Sequence, residues 1–328
     1  MKKIFIAHRA SLGDTLLATP ILRAIKETYP DCQVIHLCSP SAKDMLEGHP
    51  YIDKLLTYKK GDPIFPIIKA IWRADLAIIL DYHYRSSLFA WLAGIPIRIG
   101  RGNKKKSFLT KQVATVISDE MYEAEQTMTV AQAVGIETKN FQLEMAPYRD
   151  CEKTKTHSLM TEQGVAIDQD EFLVIAPYSL SDLKDWPQEY YQQLIDYFSN
   201  KGYKTVIVGG AEYYQRSLKY TGAINLVGMT GIRETTYLIS QARFVVCGCT
   251  SVLHFSATTN TIHAHGEIIT IPTWRNGLVG RVRFARMRLM RMIGKVLSVC
   301  LPTLIPLKHI CGLPNKRNWL LWIPKSKN

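Results

Sequence analysis

The stretch Ile4-Phe5-Ile6-Ala7-His8-Arg9-Ala10-Ser11-Leu12-Gly13-Asp14-Thr15 decides the fold of this chain. Its apolar start predicts a buried strand, which runs into a helix that ends near Tyr29-Pro30. Asp14 then lies where a strand's carboxyl end meets a helix, the position of ligand crevices in open parallel sheets, and Gly13 permits close approach of a ligand. Asp14 is therefore a candidate for a chemical role. The alternative is that Ser11 or Asp14 only caps the helix.

The length and composition predict a two-domain protein of a reducing compartment. A chain of 328 residues exceeds the usual size of one core, and 47% hydrophobic residues suffice for burial. Seven cysteines without a CxxC pair favour a reducing environment and predict no metal centre. No run of about 18 uninterrupted apolar residues occurs, and no signal peptide is indicated, so a cytoplasmic protein is expected.

The net charge of +13 is concentrated in one segment. Residues 262–328 hold twelve Lys or Arg and one acidic residue, Glu267, which leaves residues 1–261 nearly neutral. A nearly neutral main body argues against a broad phosphate-backbone footprint, so no nucleic-acid partner is expected.

Short apolar runs alternate with helical patterns along the first 261 residues. This alternation predicts the α/β class, with parallel sheets that are covered by helices on both faces. The predicted strands are Lys3–Ala7, Val34–Leu37, Leu76–Leu80, Phe172–Ala176, Thr205–Val208 and Phe244–Cys247, and the predicted helices include Thr15–Thr28, Ser41–Leu46, Ser86–Leu92, Tyr190–Ser199 and Glu234–Ser240. The predicted domains are residues 1–150 and 171–261, with a polar linker at 151–170 and an atypical basic tail at 262–328.

In the second half, candidate site residues follow the predicted strands. Lys184 precedes a helix and can neutralise a diphosphate, or it is a surface lysine paired with Asp185. The pair Gly209-Gly210 permits a tight turn beside a nucleoside, although turn chemistry alone explains it equally well. Thr250-Ser251 predict an anion-binding helix start. His254, one turn later, could donate to a phosphate or sugar oxygen, or simply pack.

Together these pieces resemble the lipopolysaccharide heptosyltransferases of glycosyltransferase family 9. The resemblance rests on motifs in a fixed order between residue 1 and about residue 261. They are Ser11-Leu12-Gly13-Asp14, Thr19-Pro20, Tyr29-Pro30, Lys184-Asp185-Trp186-Pro187, Gly209-Gly210, Leu226-Val227-Gly228-Met229-Thr230 before Leu238-Ile239, and Thr250-Ser251 with His254. The resemblance implies the GT-B architecture, in which two doubly wound Rossmann-like domains face a central cleft.

The resemblance also implies an activity and a set of site residues. It implies an inverting transfer of a heptose or related sugar from an ADP-sugar to a lipopolysaccharide core acceptor, without a metal or other cofactor, at the cytoplasmic surface of the inner membrane. Asp14 is the implied general base, and the residues matching Lys184, Thr250, Ser251 and His254 are implied to hold the diphosphate. Ser179, Gly209 and Gly210 are further candidates for donor binding, and Ser11, Gly13 and Arg101 are candidates for acceptor binding. Arg101 belongs to the basic run 100–106, which either grips an anionic acceptor or is a solvated loop. The competing interpretations are a nucleotide-sugar epimerase of the same fold and a non-catalytic nucleotide- or lipid-binding relative.

Two features depart from the family pattern. Cys249 stands where family members usually carry an acidic residue, and a thiol cannot replace that charge. After Thr261 the resemblance stops and the basic tail begins. Residues 281–297 can form a basic amphipathic helix suited to an anionic membrane surface, or the tail is a frameshifted version of the ordinary family ending.

Overall fold

The computed structural model describes residues 1–101, 108–114, 122–180, 185–248, 250–259 and 261–265. They form two compact units, the first comprising Met1–Tyr148 and the second beginning at Arg149. The predictions on Lys184 and Cys249, and those on the tail beyond residue 265, lie outside the described residues.

The first unit is built on a six-stranded parallel sheet. Its strands have the order β3-β2-β1-β4-β5-β6, so β1 is central and pairs with both β2 and β4. The elements in chain order are β1 (Lys3–His8), α1 (Leu12–Leu17), α2 (Thr19–Thr28), β2 (Gln33–Cys38), α3 (Lys43–Leu46), β3 (Lys54–Thr57), α4 (Phe65–Ile71), β4 (Leu76–Ile79), α5 (Tyr84–Leu92), β5 (Ile97–Arg101), β6 (Lys111–Val113) and α6 (Glu123–Gln132).

The sheet of the first unit is buried on both faces. Alternate residues of β1 enter two separate clusters: Ile4 and Ile6 pack with α2 and α6, whereas Phe5 and Ala7 pack with α4 and α5. A parallel sheet that is covered in this way exposes functional groups mainly at its ends.

The predicted helix 15–28 is interrupted at Ala18. Pro20 lies in the first turn of α2 and has no N–H to donate to the Leu16 carbonyl. That carbonyl instead accepts a 2.7 Å hydrogen bond from the Thr19 hydroxyl. The proline therefore begins a second helix, and α1 remains a short helix that carries Asp14.

The second unit contains a five-stranded parallel sheet with the order β11-β10-β7-β8-β9. Leu173 and Ile175 of β7 pack against Leu194, Ile195 and Phe198 of the following helix. The elements are α7 (Asp150–Glu162), β7 (Phe172–Ala176), α8 (Gln188–Ser199), β8 (Lys204–Ile207), α9 (Tyr214–Ser217), β9 (Ile224–Asn225), α10 (Ile232–Gln241), β10 (Phe244–Cys247), α11 (Ser251–Thr258) and β11 (Ile262–His265).

The segment interpreted as a linker, 151–170, contains most of helix α7 and belongs to the second unit. Glu152 is buried there and accepts hydrogen bonds from Arg149, and its Oε1 lies 3.6 Å from Nε of the buried Arg233 on α10. This shared carboxylate fastens α7 to α10. A buried charge needs such partners, so the polar composition of this segment reflects an ion-pair network as well as solvent exposure.

Candidate active site

Asp14 lies in the first turn of α1, after the carboxyl end of β1. Ser11 caps this helix: its Oγ accepts a 3.4 Å hydrogen bond from the Asp14 N–H and donates a 2.8 Å hydrogen bond to Asp14 Oδ2. Gly13 is buried, while Asp14 is exposed. The capping role considered for Ser11 is therefore present, and the Asp14 carboxylate is held at an accessible position where it can accept a proton.

Arg101 and Glu123 complete the charged surroundings of Asp14. Arg101 ends β5 and donates a 2.9 Å hydrogen bond to the Thr127 hydroxyl on α6, one turn after Glu123. Burial raises the pKa of Glu123, the negative charge of Asp14 raises it further, and Arg101 opposes the rise. The charges of both Asp14 and Arg101 thus act on Glu123, a second carboxylate that sequence analysis missed.

The neighbouring His8 is not a candidate for the proton acceptor. Its side chain is buried, and burial, followed by the charge of Arg101, lowers its pKa to about 3. The His8 side chain is therefore neutral at physiological pH.

Arg9 is a second cation at this edge of the sheet that sequence analysis missed. Its Nε lies 3.3 Å from Ser86 Oγ and 3.6 Å from Oδ2 of the buried Asp81, and its guanidinium lies 5.1 Å from the ring centre of Tyr58. Asp81 also accepts hydrogen bonds from the Arg9 and His83 N–H groups and from the Ser86 hydroxyl. Within residues 1–101 and the other described ranges, the Arg9 Nη atoms have no hydrogen-bond partner, and 11% of the side chain is exposed.

In the second unit, Ser179 lies in a loop that follows β7 and is organised by Asp185. The Ser179 N–H and hydroxyl donate 2.7 and 2.9 Å hydrogen bonds to Asp185 Oδ1, and Arg216 donates a 2.9 Å bond to Oδ2. Asp185 therefore holds Ser179 and Arg216 together, while Lys184, considered as its partner, lies outside the described residues. Arg216 adds a cation at this edge of the sheet that sequence analysis missed.

Gly209 and Gly210 follow β8 beside two stacked tyrosines. The rings of Tyr178 and Tyr213 are 4.9 Å apart, and the Tyr213 hydroxyl donates a 2.8 Å hydrogen bond to the Ser179 carbonyl. A Cβ on Gly209 would lie 3.4 Å from the Tyr178 ring, an ordinary contact, whereas one on Gly210 would meet the Glu212 carboxylate. The structure therefore brings Ser179 and Gly209 together next to the stacked rings of Tyr178 and Tyr213.

Thr250, Ser251 and His254 are positioned by β10 and α11. Thr250 is the N-cap of α11, but its side chain makes no capping hydrogen bond. Ser251 begins the helix, and His254 is buried one turn later. The N–H groups at the start of α11 and the Thr250 hydroxyl can together receive an anion at the carboxyl end of β10.

Among the described residues, no group of three or more His, Cys, Asp or Glu side chains is placed to hold a metal ion. No described helix is long and apolar enough to cross a membrane.

Comparison with known proteins assigns the class. The model of glycosyltransferase family 9 (heptosyltransferase) matches residues 65–263. Lipooligosaccharide heptosyltransferase 2 of Haemophilus ducreyi is 22% identical over 284 residues, which cover 79% of this chain and 80% of that protein.

Two solved structures share the fold. A family 9 glycosyl transferase from Veillonella parvula matches with a TM-score of 0.73 at 20% identity over 80% of each chain. The Escherichia coli ADP-heptose LPS heptosyltransferase II matches with a TM-score of 0.67 at 20% identity, covering 81% of this chain and 85% of that one.

The fold and the comparisons define a glycosyltransferase with the GT-B fold, which confirms the predicted α/β class and its Rossmann-like parallel sheets. More specifically, the chain belongs to glycosyltransferase family 9, the heptosyltransferases, as the resemblance in the sequence predicted.

Proposed function

We propose that this protein transfers a heptose or closely related sugar from an ADP-sugar to a lipopolysaccharide core acceptor, with inversion at the anomeric carbon. The observation that carries the proposal is the exposed Asp14 carboxylate, held by the Ser11 hydroxyl at 2.8 Å beside the carboxyl end of β1. Asp14 takes the proton of an acceptor hydroxyl, the acceptor oxygen bonds to the anomeric carbon, and the bond to the ADP oxygen breaks. A single displacement of this kind inverts the configuration.

The donor is assigned to the second unit. Thr250, Ser251 and the first turn of α11 offer hydroxyl and N–H groups to a diphosphate, and His254 lies one turn further along the same helix. Gly209 lies against Tyr178, and we propose that the nucleoside binds beside this pair. The ADP-heptose in the name of the E. coli relative supports the choice of nucleotide and sugar. We carry over Lys184 and Gly210 from the sequence resemblance as further donor contacts.

The acceptor is assigned to the first unit. Ser11 and Gly13 flank Asp14, and Arg101 and Arg9 provide two cations at the same edge of the sheet. A guanidinium group can bind a carboxylate or phosphate group of a core oligosaccharide through two parallel hydrogen bonds. We further propose that the protein works at the cytoplasmic surface of the inner membrane, where its lipid-linked acceptor resides, and that transfer needs no metal ion.

The test is a transfer assay with ADP-heptose and a core acceptor for the wild type and Asp14→Asn. We expect the substitution to reduce kcat by about 10² to 10⁴ fold, the usual contribution of a general base, while the Kd for ADP stays within about twofold. Asp150→Asn is the matched control, because Asp150 is an exposed carboxylate in the first turn of α7.

Three measurements test the finer points. NMR of the product should show the anomeric configuration opposite to that of the donor. The rate should be the same with EDTA as with Mg²⁺. Full activity of Asp14→Asn would overturn the assignment of the base, and absence of transfer by the wild type with ADP still bound would favour a non-catalytic relative.

A further inference from the structure

The first unit exposes an unusual number of large apolar side chains in one region. Among the described residues, eight of the thirteen exposed large hydrophobic or tyrosine side chains lie between positions 64 and 97. They are Ile64, Phe65, Trp72, Tyr82, Tyr84, Trp91, Leu92 and Ile97. Scattered apolar side chains need no explanation, but a group of this size within one segment requires one.

The exposed residues of α4 and α5 lie on one side of the sheet. The two helices pack against each other and bury Ile67, Ile71 and Phe89 in the same core cluster. Their carboxyl ends are joined by a 2.9 Å hydrogen bond from the Arg73 N–H to the Ala93 carbonyl. Trp72 precedes Arg73, and Trp91 and Leu92 precede Ala93, so these side chains occupy neighbouring positions.

We call the exposed side chains Phe65, Trp72, Tyr84, Trp91 and Leu92 the aromatic surface. Phe65 is 72% exposed, Trp72 53% and Trp91 51%, although aromatic side chains of this size normally bury most of their area. The aromatic surface therefore exposes apolar area to the solvent. A partner that covers this surface would remove that area from water.

The charges beside the aromatic surface have one predominant sign. Lys59, Lys60, Lys69 and Arg73 are exposed in the same segment. Asp62 is the nearby exposed carboxylate, and its Oδ2 accepts the Lys59 N–H. The other two carboxylates of the segment are engaged elsewhere, Asp75 by the N–H groups of Lys2 and Lys3 and Asp81 in its buried network.

We propose that the aromatic surface and its four cations dock the protein onto an anionic lipid bilayer. Trp and Tyr suit the boundary between headgroups and acyl chains, and each Lys or Arg near an anionic leaflet adds to the attraction. The inference rests on the proposed function only in that a lipid-linked acceptor requires an enzyme at the membrane surface.

A second copy of the chain is a poorer occupant for this surface. A two-fold dimer would place the same four cations of each protomer against one another, which is repulsive. Lysine is also depleted in protein–protein interfaces, whereas it is enriched beside anionic membranes.

The first test is sedimentation of the full-length protein with vesicles. Vesicles of phosphatidylethanolamine with phosphatidylglycerol should bind the protein, vesicles of phosphatidylcholine should bind it weakly, and 0.5 M NaCl should reduce binding to the anionic vesicles. The double variant Phe65→Ser/Trp72→Ser should lower the partition coefficient at least about tenfold. Tyr214→Ser/Leu218→Ser is the matched control, since it removes exposed apolar side chains from the second unit.

Charge reversal provides an independent variant set. Lys60→Glu/Lys69→Glu should weaken binding to the anionic vesicles, whereas Lys219→Glu, in an exposed position of the second unit, should change it little. Wild-type binding by both double variants of the first unit would overturn the proposal and place membrane attachment elsewhere in the chain. A dimer in analytical ultracentrifugation that Phe65→Ser/Trp72→Ser converts to a monomer would also overturn it.

The test of membrane docking can be separated from the test of the proposed transfer activity. With a water-soluble, acyl-free acceptor, Phe65→Ser/Trp72→Ser should retain the wild-type rate, because neither side chain belongs to the candidate active site. With acceptor embedded in anionic vesicles, the rate should fall in parallel with binding. An inactive wild type that still binds vesicles would contradict only the proposed function.

Discussion

The Ser11 hydroxyl donates a 2.8 Å hydrogen bond to Oδ2 of Asp14, and the same oxygen of Ser11 accepts the Asp14 N–H at 3.4 Å. One side chain thus caps α1 and orients the carboxylate proposed as the base. We expect Ser11→Ala to lower kcat about tenfold through loss of this orientation, with a small loss of helix stability of about 1 kcal/mol. Transfer kinetics and a urea melt measure the two effects separately.

A matched control for Ser11→Ala is Ser240→Ala. The Ser240 hydroxyl donates a 2.7 Å hydrogen bond within α10 of the second unit and serves no proposed catalytic group. Unchanged kcat in Ser11→Ala, with only the stability reduced, would leave Ser11 a cap without a catalytic role.

Arg9 offers a test of the acceptor site. Its Nε is held by Ser86 and Asp81, and we propose that its Nη atoms bind an anionic group of the acceptor. We expect Arg9→Lys to raise the KM for the acceptor about tenfold, because a lysine keeps the charge but cannot bind a carboxylate or phosphate bidentately. The KM for the ADP-sugar should stay constant.

The stability of the Arg9 variant must be measured beside its kinetics. Burial raises the pKa of Asp81 and the charge of Arg9 opposes this rise, so a misplaced cation disturbs the buried carboxylate as well. Arg243→Lys, at an exposed position of the second unit, is the control. An unchanged acceptor KM at a preserved Tm would show that Arg9 serves only the Asp81 network.

The central strands of both sheets could be predicted because they are buried, apolar and rich in β-branched residues. Four of the six predicted strands differ from the observed ones only at their ends, and Phe172–Ala176 and Phe244–Cys247 have the observed bounds. Five strands were missed, the edge strands β3, β6, β9 and β11 and the interior strand β5. Of these, β6 is three residues long and β9 is two, too short to show a period of two. Helix α7 was missed because its buried face includes Glu152 and Thr156, which a hydrophobicity pattern cannot show.

The site could be predicted where its residues are local in sequence. Ser11 and Asp14 are three positions apart, and one helix start brings them together. In contrast, 72 residues separate Arg9 from Asp81, and 31 separate Arg216 from Asp185. Such partners meet only through the order of strands in the sheet, so neither arginine stood out in the sequence.

Gly209 allows the donor role to be separated from turn geometry. A Cβ at this position would make contacts of 3.4 Å with Tyr178, 3.7 Å with Val227 and 3.8 Å with Tyr213, which the fold can accommodate. We expect Gly209→Ala to keep the wild-type Tm within about 2 °C but to raise the Kd for ADP several-fold, because the methyl group occupies space proposed for the nucleoside. Calorimetric titration and thermal unfolding give both values.

Gly228→Ala serves as the contrasting variant for Gly209→Ala. Gly228 has a φ of +77°, and a Cβ there would lie 2.9 Å from Ala211 Cα, so this substitution should lower the Tm clearly. Wild-type affinity of Gly209→Ala for ADP would remove Gly209 from the donor site.

Three buried histidines of the first unit make the stability of the protein depend on pH. Burial lowers the pKa of His8 and His36 to about 3 and that of His49 to about 4. Their pKa values in the unfolded chain are near 6.5, so unfolding takes up protons on acidification. The stabilisation from keeping them neutral is complete above about pH 6.5 and is lost as the pH falls towards 4 and then 3.

This loss can be attributed to individual side chains. Each histidine should cost on the order of 2 kcal/mol of unfolding free energy between pH 7 and pH 5. Neither ring nitrogen of His36 has a hydrogen-bond partner among the described residues, so His36→Leu should fold and should flatten the dependence of the unfolding free energy on pH by about one third. The exposed His83 provides the control for replacing a histidine, because His83→Gln should leave the unfolding free energy at pH 7.5 unchanged. Urea melts of the three proteins from pH 7.5 to pH 5 measure the slopes, and an unaltered slope in His36→Leu would exclude His36 as a source of the acid sensitivity.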